Sequence, residues 1–325
     1  MKKVLVTGGC GYLGARISKH LAEKRYSVTA FDRFDPSKYS QWTSLMEEIV
    51  IGDIRDETTI YNLAEKPFDV VIHLISLDHH KSEDDPNFVY SINVMPTGNL
   101  LDRFKKKGLD KFIYFSTIQC YGKIPNKIIN EEHNPSPKNA YGLTHLLSEN
   151  ISNYYNKNTE IHCINIRLSN SYGSPMLKEN NCWWLVINDL CKTAFEENKI
   201  KLLSDGSPQR DFIHVSDVCK AVELLIKSKD SSTLNNTFHL ASGNTLTILE
   251  LAHIVKKVFK ERYHKEIHVF LPDNSVSNDP NKFQNVERFS IDNTKIKDLG
   301  FQQKTDLNTG INELFGYLEN HYEDK

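Results

Sequence analysis

A glycine-rich turn near the start of the chain constrains the fold more than any other stretch. Residues 4–6 form a short run of valine and leucine, typical of a buried strand, and Gly8, Gly11 and Gly14 follow it. Apolar residues then recur at helical spacing to about residue 24. Strand, glycine turn and helix together bring backbone N–H groups and a helix N-terminus against a pyrophosphate, so the segment predicts a nucleotide-binding α/β fold.

The three glycines are spaced G-x-x-G-x-x-G, which differs from the commonest dinucleotide-binding pattern, G-x-G-x-x-G. Each glycine can still take the role that the pattern requires. Gly8 makes the tight turn, Gly11 lets a phosphate approach the backbone, and Gly14 lets the helix pack closely on the strand. A tight turn between strand and helix is also a common structural need, so the next strand decides the interpretation.

The second strand-like run, residues 27–31, ends in an acidic residue, Asp32. At that position a carboxylate binds both hydroxyls of an adenosine ribose and repels the 2′-phosphate of NADP. Arg33 weakens this preference a little, because a guanidinium accommodates a phosphate. The pair therefore favours NAD as the cofactor.

Strand-like and helix-like segments alternate through the first half of the chain. Four more continuous apolar runs are separated by helical patterns: residues 48–51, 69–74, 111–116 and 161–168. Such alternation predicts a parallel sheet that is covered on both faces and binds ligands at the carboxyl ends of its strands. The fold class is therefore α/β, a Rossmann-type doubly wound parallel sheet. Pro96 lies inside the helical pattern of residues 85–107 and predicts a kink or a restart there.

Beyond Gly173 the periodicity loosens, and helical patterns mix with short strands. The helical patterns cover about residues 184–197, 215–228 and 248–259. We predict an NAD-binding Rossmann domain at residues 1–172, with later strand and helix contributions from about 211–242. Residues 173–325 are then mainly a smaller mixed α/β substrate lobe that closes over the sheet edge.

Composition and charge exclude several classes of partner. With 40 basic and 42 acidic residues, the chain gives no electrostatic reason to expect nucleic acid or an anionic membrane. Its six cysteines are scattered without a C-x-x-C pair, and no apolar run approaches membrane-spanning length, so we expect a cytoplasmic protein. His79 and His80 lack a third and fourth ligand at plausible spacing, and we expect no metal site.

Hydroxyl and imidazole groups gather at the predicted carboxyl edge of the sheet. Ser116 and Thr117 end the strand that begins near residue 111 and bring two hydroxyls to that edge. A helix predicted from about residue 139 carries Tyr141 and His145, which share one helix face because they are four residues apart. The phenol and the imidazole can therefore address one ligand together.

Eight segments, in order along nearly the whole chain, carry further motifs: residues 7–14, 52–56, 116–122, 141–145, 167–173, 210–218, 288–292 and 299–301. Together they resemble the extended short-chain dehydrogenase/reductase family, in particular its NAD-dependent nucleotide-sugar epimerases, dehydratases and reductases. The resemblance implies that the C-terminal lobe binds a nucleotide-diphosphate sugar. Its coverage makes it far more specific than any one motif.

The resemblance also implies roles for individual residues. Thr117 would hydrogen-bond the sugar oxygen, and Tyr141, as a phenolate, would take the hydroxyl proton while hydride passes to the nicotinamide. The phenol pKa, ordinarily near ~10, must fall for this at pH 7. The implied substrate-binding residues are Ser82, Thr117, Asn170, Asn181, Arg210 and Arg288. The implied cofactor-binding residues are Gly8, Gly11, Tyr12, Leu13, Gly14, Asp32, Arg33, Asp53, Ile54, Leu74, Ser76, Asn93, Ser116, Tyr141, His145 and Leu168.

The chain departs from the family motif Y-x-x-x-K, because His145 stands where the lysine is expected. In the family, that lysine holds the nicotinamide ribose, and its charge lowers the tyrosine pKa. A histidine can hydrogen-bond a ribose, but with an unperturbed pKa of about 6.5 it is mostly neutral at pH 7. Three hypotheses follow: a slow or specialised enzyme, an enzyme whose His145 is held protonated, or a fold that keeps its ligand and has lost turnover.

A second departure follows Thr117, where the next two residues are Ile118 and Gln119. Related 4,6-dehydratases place an Asp and a Glu there as an acid/base pair, and related decarboxylases use the Glu, whereas neither residue here exchanges protons. The 3,5-epimerase/reductases use a cysteine at the Gln119 position, and Cys120 is one residue off. The chemistry that remains is C4 epimerisation, or dehydrogenation or reduction of a sugar carbon.

We therefore predict an NAD-dependent epimerase, or a dehydrogenase/reductase, that transfers hydride at C4 of a nucleotide-linked sugar for polysaccharide or glycan synthesis. The alternative, suggested by His145, is a non-catalytic NAD or nucleotide-sugar binding protein. The resemblance further implies a homodimer, or a dimer of dimers. In it, the helix over residues 85–107 and the Tyr141 helix pair across the interface in a four-helix arrangement.

Overall fold

The computed structural model describes residues 1–124, 127–229 and 237–321. Its strands are β1 (Lys3–Thr7), β2 (Ser27–Asp32), β3 (Glu48–Ile51), β4 (Val70–His73), β5 (Lys111–Thr117), β6 (Ile128–Ile129), β7 (His162–Leu168), β8 (Asn170–Tyr172), β9 (Ile200–Lys201), β10 (Gln209–His214), β11 (Thr237–Leu240), β12 (Thr245–Thr247), β13 (Val269–Phe270), β14 (Val276–Ser277) and β15 (Ser290–Ile291). Its helices are α1 (Tyr12–Glu23), α2 (Ser40–Thr43), α3 (Glu57–Ala64), α4 (Pro86–Asn93), α5 (Met95–Phe104), α6 (Ala140–Asn158), α7 (Val186–Glu197), α8 (Val215–Lys227), α9 (Ile248–Tyr263), α10 (Thr294–Asp298) and α11 (Leu307–His321). Two 3₁₀ turns, Lys81–Glu83 and Ile118–Tyr121, lie beyond the ends of β4 and β5.

Seven of the strands form one parallel sheet in the order β11-β7-β5-β4-β1-β2-β3. The chain runs outward from β1 to β3 and then restarts on the other side of β1 with β4, so the strand order reverses between β1 and β4. A crevice opens at the carboxyl ends of the strands at such a reversal. The predicted Rossmann-type doubly wound sheet is confirmed.

Apolar layers cover both faces of this sheet. Along β1, Val4 and Val6 pack with α1 and α8 on one face, whereas Leu5 packs with α3 and α5 on the other. All three side chains are fully buried, which is why the strand reads as a continuous apolar run rather than an alternating one. Burying each of them contributes about 1.5–3 kcal/mol to folding.

One strand and one helix from the second half of the chain complete the Rossmann layers. The edge strand β11 pairs in parallel with β7, and α8 packs against α1. The buried ammonium of Lys111, at the start of β5, donates to the carbonyl oxygens of Leu225 (3.0 Å) and Ile226 (2.9 Å) at the C-terminal end of α8. The domain limits at residues 1–172 and 173–325 stay a prediction.

A smaller mixed lobe follows β7. Two three-stranded sheets, β12-β10-β8 and β14-β13-β9, enclose with α7, α9 and α11 an apolar core that is separate from the Rossmann layers. This is the mixed α/β lobe that the loosened periodicity predicts. Its strand β10 carries residues 209–214 toward the carboxyl edge of the main sheet, beside β8.

The helix predicted over residues 85–107 consists of two helices, α4 and α5, which meet at Val94. Pro96 lies in the first turn of α5, where its missing N–H removes no intrahelical hydrogen bond, so the expected restart is confirmed. Among the residues that the structure describes, no helix is both long enough and apolar enough to cross a membrane.

Candidate active site

The glycine turn has the geometry that the sequence predicts. Gly8 adopts a φ of +75°, and the N–H groups of Gly8 and Gly9 both donate to the carbonyl of Phe31 on β2. A Cβ atom on Gly14 would lie 1.9 Å from the carbonyl oxygen of Gly8, so only glycine lets α1 approach the turn this closely. Gly11 precedes α1 without a side-chain cap, which leaves the N-terminal N–H groups of that helix for an anion.

Two carboxylates lie near this turn. Asp32, at the end of β2, accepts hydrogen bonds from the N–H groups of Cys10 (3.1 Å) and Phe34 (3.2 Å), which hold it beside the turn. Asp53 forms an ion pair with Arg55, with 2.9 Å between Nε and Oδ1. The hydrogen bond from Arg55 lowers the pKa of Asp53 to about 2. Both groups are therefore placed for the adenosine end of a dinucleotide.

A cleft of about 1220 Å³ runs along the carboxyl edge of the sheet from this turn to the C-terminal lobe. Most of the residues predicted for the site line it: Gly8, Gly11, Tyr12, Leu13, Gly14, Asp32, Arg33, Asp53, Ile54, Leu74, Ser76, Ser116, Thr117, Tyr141, Leu168, Asn170, Asn181 and Arg210. Four predicted residues are not in its wall: Ser82, Asn93, His145 and Arg288. A cleft of this size and position suits an extended ligand pair, a dinucleotide and a second nucleotide.

Thr117 and Tyr141 meet at the middle of the cleft. Thr117 ends β5, and Tyr141 lies in the first turn of α6, where Asn139 caps the helix by accepting the N–H of Gly142 at 2.7 Å. Burial raises the pKa of Tyr141 to about 12, although hydrogen bonds with Thr117 and Ser76 lower it. The phenol is therefore neutral at pH 7 in the protein by itself, and it needs a further positive charge to act as a base.

His145 lies behind the cleft wall, with its ring edge-to-face against Tyr141 at 4.5 Å between ring centroids. Its Nδ1 is 2.8 Å from the hydroxyl of Tyr114, and its Nε2 is 3.3 Å from the hydroxyl of Ser76. Burial lowers the pKa of His145 to about 4. This environment argues against the hypothesis of a protonated His145. Direct ribose binding by His145 stays a prediction, and it would require a ribose hydroxyl to replace the 3.3 Å contact between Nε2 and Ser76.

Ser82 and Asn93 support the cleft instead of lining it. The Asn93 side chain accepts the N–H of Leu77 (2.7 Å) and donates to the hydroxyls of Ser82 (3.2 Å) and Thr144 (3.1 Å). Both residues are 1% exposed. These hydrogen bonds hold the loop after β4 in place, and the direct contacts of Ser82 with substrate and of Asn93 with cofactor stay predictions.

The two arginines that are predicted to bind substrate, Arg210 and Arg288, differ in their surroundings. Arg288 pairs with Glu250 at 2.6 Å and donates to the carbonyl of Thr245, outside the cleft, because its local partner lies on α9. Arg210, on β10, donates to the carbonyl of Gln209 and forms no ion pair with a carboxylate in the described part of the chain. Arg210 is therefore a cation of the cleft wall without a carboxylate partner among the described residues, and substrate binding by Arg288 stays a prediction.

Several residues of the cleft wall were not predicted from the sequence, among them Asp78, Lys123, Lys138 and Asn139. Asn139 carried a signal, since an asparagine directly before a predicted helix is a typical N-cap. Asp78 carried none, because its proximity to Tyr141 depends on how the loop after β4 folds back. Its charge contributes to the raised pKa of Tyr141.

Fold and cleft together define a class of protein, a Rossmann-type dinucleotide-binding protein with a glycine turn at one end of the cleft and a hydrogen-bonded phenol at its centre. The model of the NAD-dependent epimerase/dehydratase family matches residues 4–241. The chain belongs to this family, and its cofactor is NAD. The glycine turn, in which a Cβ on Gly14 would clash, and the carboxylate of Asp32 fit this dinucleotide.

Curated relatives match between about four fifths and nearly all of the chain. A putative UDP-glucose 4-epimerase of Methanocaldococcus jannaschii is 27% identical over 98% of this chain and 99% of the relative. A UDP-glucose 4-epimerase of Rhizobium leguminosarum bv. trifolii is 29% identical over 78% and 81% of the two chains. A dTDP-glucose 4,6-dehydratase of Streptomyces niveus is 23% identical over 96% and 91%. Both epimerases and dehydratases are therefore among the relatives.

Solved structures share the fold. The UDP-glucose 4-epimerase of Thermotoga maritima, solved with UDP-glucose, has a TM-score of 0.83 at 23% identity over 98% of this chain and 99% of that one. The UDP-glucuronic acid 4-epimerase of Bacillus cereus, solved with NAD, has a TM-score of 0.81 at 22% identity over 99% and 98%. At these identities the similarity concerns the fold.

Proposed function

We propose that this protein is an NAD-dependent epimerase that inverts C4 of a nucleotide-linked sugar. The observation that carries the proposal is the Thr117–Tyr141 pair at the centre of the cleft, followed by Ile118 and Gln119 where a dehydratase needs an acid/base pair. A hydride transfer that is coupled to the transfer of one proton needs a single acid/base group, and the phenol of Tyr141 can be that group. Elimination of water needs a second proton-exchanging group at those positions, which disfavours dehydration.

In this mechanism, Thr117 holds the C4 oxygen and Tyr141 takes its proton and later returns it. NAD⁺, held by the glycine turn and Asp32, would supply a hydride acceptor and donor for the two faces of C4 in turn, and its ring charge would favour ionisation of a neighbouring phenol. Neutral His145 supplies no charge, and its hydrogen bonds to Tyr114 and Ser76 keep the ring in place against Tyr141. Arg210 supplies the cation that a diphosphate binds.

Product analysis tests this function and separates its competitors. The purified protein is incubated with a UDP-hexose, and the C4 epimer is measured by NMR while absorbance follows reduced nicotinamide. Formation of the epimer without net reduced nicotinamide supports an epimerase. Net reduced nicotinamide identifies a dehydrogenase/reductase instead. A protein that retains NAD and transfers no hydride to any sugar nucleotide matches the non-catalytic alternative, for which the comparisons provide no support.

The pH dependence of the rate is the first test of the role of His145. Because burial raises the pKa of Tyr141 to about 12, the phenolate fraction grows with pH, and we expect turnover to rise from neutral to alkaline pH. His145→Lys places a cation beside the phenol and should move this rise to lower pH, with about tenfold more phenolate at pH 7 for each unit by which the pKa falls.

Steady-state rates between neutral and alkaline pH check this expectation, with NAD content measured in each variant. His145→Gln is the matched neutral control and should leave the position of the rise unchanged. If His145→Lys binds NAD yet is no faster at pH 7, neutral His145 does not limit the reaction.

We also propose a homodimer through α5 and α6. A groove of about 660 Å³ lies between these helices and α3, and exposed apolar side chains border it, including Met95 (56% exposed) and Tyr154 (62% exposed). The same pair of helices from a second copy would cover this groove in a four-helix arrangement. A cytoplasmic location and a role in polysaccharide synthesis likewise remain predictions.

Light scattering after gel filtration tests the dimer. In the double variant Met95→Glu/Tyr154→Glu, a dimer would have to bury two carboxylates from each chain in the proposed interface. We therefore expect the variant to dissociate and its measured mass to be half that of the wild type. Leu203→Glu is the matched control, because Leu203 is 94% exposed in the C-terminal lobe and should leave the mass unchanged. A wild-type protein that is monomeric at micromolar concentration contradicts the proposal.

A further inference from the structure

Gln119 lies at the sugar end of the cleft. It belongs to the 3₁₀ turn Ile118–Tyr121, directly after the strand that ends in Thr117, and its side chain is exposed in the cleft wall. Its single side-chain hydrogen bond in the described part of the chain is accepted at Oε1 from Nδ2 of Asn139, at 3.1 Å. A side-chain amide two residues from Thr117 is within reach of the sugar that Thr117 holds.

Helix capping determines which end of this amide faces the cleft. Oδ1 of Asn139 accepts the backbone N–H of Gly142, and a backbone N–H can only donate, so Nδ2 of Asn139 must point to Gln119. Nδ2 also only donates, so its partner on Gln119 must be Oε1. The free end of the Gln119 side chain is therefore its N–H₂ group, which can donate and cannot accept.

Two lysines lie in the same part of the cleft wall as Gln119, which we call the Gln119 corner. Lys123 and Lys138 line the cleft, and Lys138 packs over Gly122, the residue next to Lys123. Neither lysine forms an ion pair with a carboxylate among the residues that the structure describes. Asp78 and Glu83 are carboxylates of the loop after β4: Asp78 lines the cleft and accepts the N–H groups of His80 and Lys81 at 3.0 Å each, and Glu83, outside the cleft wall, accepts the N–H of Ala140 at 3.2 Å. The Gln119 corner therefore presents donors and positive charge.

We propose that Gln119 selects sugars carrying an oxygen that only accepts hydrogen bonds, either the carboxylate of a hexuronic acid or the carbonyl of an N-acyl amino sugar. The inference rests on the proposed function, because it concerns the sugar held by Thr117. A hydroxyl oxygen in the same place also accepts a hydrogen bond from the amide, but it carries no charge, so it gains less from the lysines, and the amide N–H₂ offers its O–H no acceptor. A carboxylate gains from both, so the uronic acid is the favoured source.

Binding to the NAD-loaded protein tests the inference without requiring turnover. Calorimetry gives dissociation constants for UDP-glucuronic acid, UDP-N-acetylglucosamine and UDP-glucose. We expect an acceptor-bearing sugar to bind on the order of 10-fold more tightly than UDP-glucose. Preference for the uronic acid identifies the carboxylate, and preference for the N-acetyl sugar identifies the acyl carbonyl. Equal or tighter binding of UDP-glucose overturns the inference.

Asn139→Asp provides the sharpest variant. The new carboxylate still caps α6, but its second oxygen can only accept, so the Gln119 amide turns over and presents Oε1 to the cleft. We expect the affinity ratio of each acceptor-bearing sugar to UDP-glucose to fall on the order of 10-fold. UDP-N-acetylglucosamine separates reversal of the Gln119 amide from repulsion by the carboxylate introduced at position 139. Its sugar ring is uncharged, and its diphosphate is the same as that of UDP-glucose. An unchanged ratio for that sugar overturns the role of Gln119.

Two further measurements complete the test. Gln119→Ala should bring the affinities for UDP-N-acetylglucosamine and UDP-glucose to within a few-fold of each other, whereas the uronic acid should keep the share of its advantage that the two lysines contribute. The double variant Lys123→Gln/Lys138→Gln should weaken the binding of UDP-glucuronic acid and leave the affinities for the other two sugars unchanged. In the wild-type protein, added salt should reduce the preference for UDP-glucuronic acid over UDP-glucose. Epimer formation with flat affinity ratios contradicts only this inference. Selective binding without an epimer contradicts only the proposed function, and failure of all three sugars to bind contradicts both.

Discussion

Tyr141→Phe is expected to lower turnover about 10²–10⁴-fold, the range that a positioned general acid/base contributes. The ring remains, so packing against His145 and the affinity for the nucleotide sugar should change little. The variant has no phenol hydroxyl, so it loses both the acid/base group and the hydrogen bonds of that hydroxyl with Thr117 and Ser76. The loss should therefore appear in kcat and leave the dissociation constant of the sugar within about threefold of wild type.

Rates under saturating substrate and calorimetric dissociation constants measure the two effects separately. Tyr61→Phe is the matched control, because Tyr61 lies on α3 away from the cleft and is half exposed. It should turn over at the wild-type rate. More than a tenth of wild-type activity in Tyr141→Phe would show that another group carries the proton.

Arg167→Met is expected to destabilise the protein by about 3–5 kcal/mol, because it leaves the buried carboxylate of Glu149 without its cation. The two side chains are 6% and 2% exposed, and they are joined at 3.0 Å (Nε–Oε1) and 2.7 Å (Nη2–Oε2). Burial by itself would lower the pKa of Arg167, but the hydrogen bonds to Glu149 outweigh it and raise that pKa. Ser116, directly before Thr117, also donates to Glu149.

Urea unfolding measures this loss. Arg262→Met is the matched control, because Arg262 and Glu319 form a similar two-bond pair at the surface, 30% and 37% exposed, and should cost less than about 1 kcal/mol. Adding Glu149→Leu to Arg167→Met should restore most of the stability, since both charges are then gone. Equal losses for Arg167→Met and Arg262→Met would contradict the account.

The parts of the site that the sequence predicts are those set by local geometry. The turn from Gly8 to Gly14 depends on backbone freedom within seven residues, and Asp32 and Thr117 follow directly from ends of apolar strands. Parallel strands bring such ends to one edge, so the gathering of these residues follows from the pattern of alternation alone.

The parts that could not be predicted depend on partners distant in the chain. His145 faces the hydroxyls of Tyr114 and Ser76, which lie 31 and 69 residues away. Arg288 is paired with Glu250, 38 residues before it, whereas Arg210 has no carboxylate partner within residues 1–124, 127–229 and 237–321. Two arginines that look alike in the sequence thus differ in charge compensation, and only the tertiary structure distinguishes them.

Strand β11 and helix α8 complete the Rossmann layers but lie far along the chain, which affects folding during synthesis. Until about residue 240 has left the ribosome, the nascent chain has an unpaired edge along β7 and an uncovered apolar face on α1. The lobe residues between β7 and β11 must be made before that edge is closed. A fragment that ends near residue 172 would keep the nucleotide turn and still expose a strand edge prone to aggregation, so the cofactor half is not a self-sufficient folding unit.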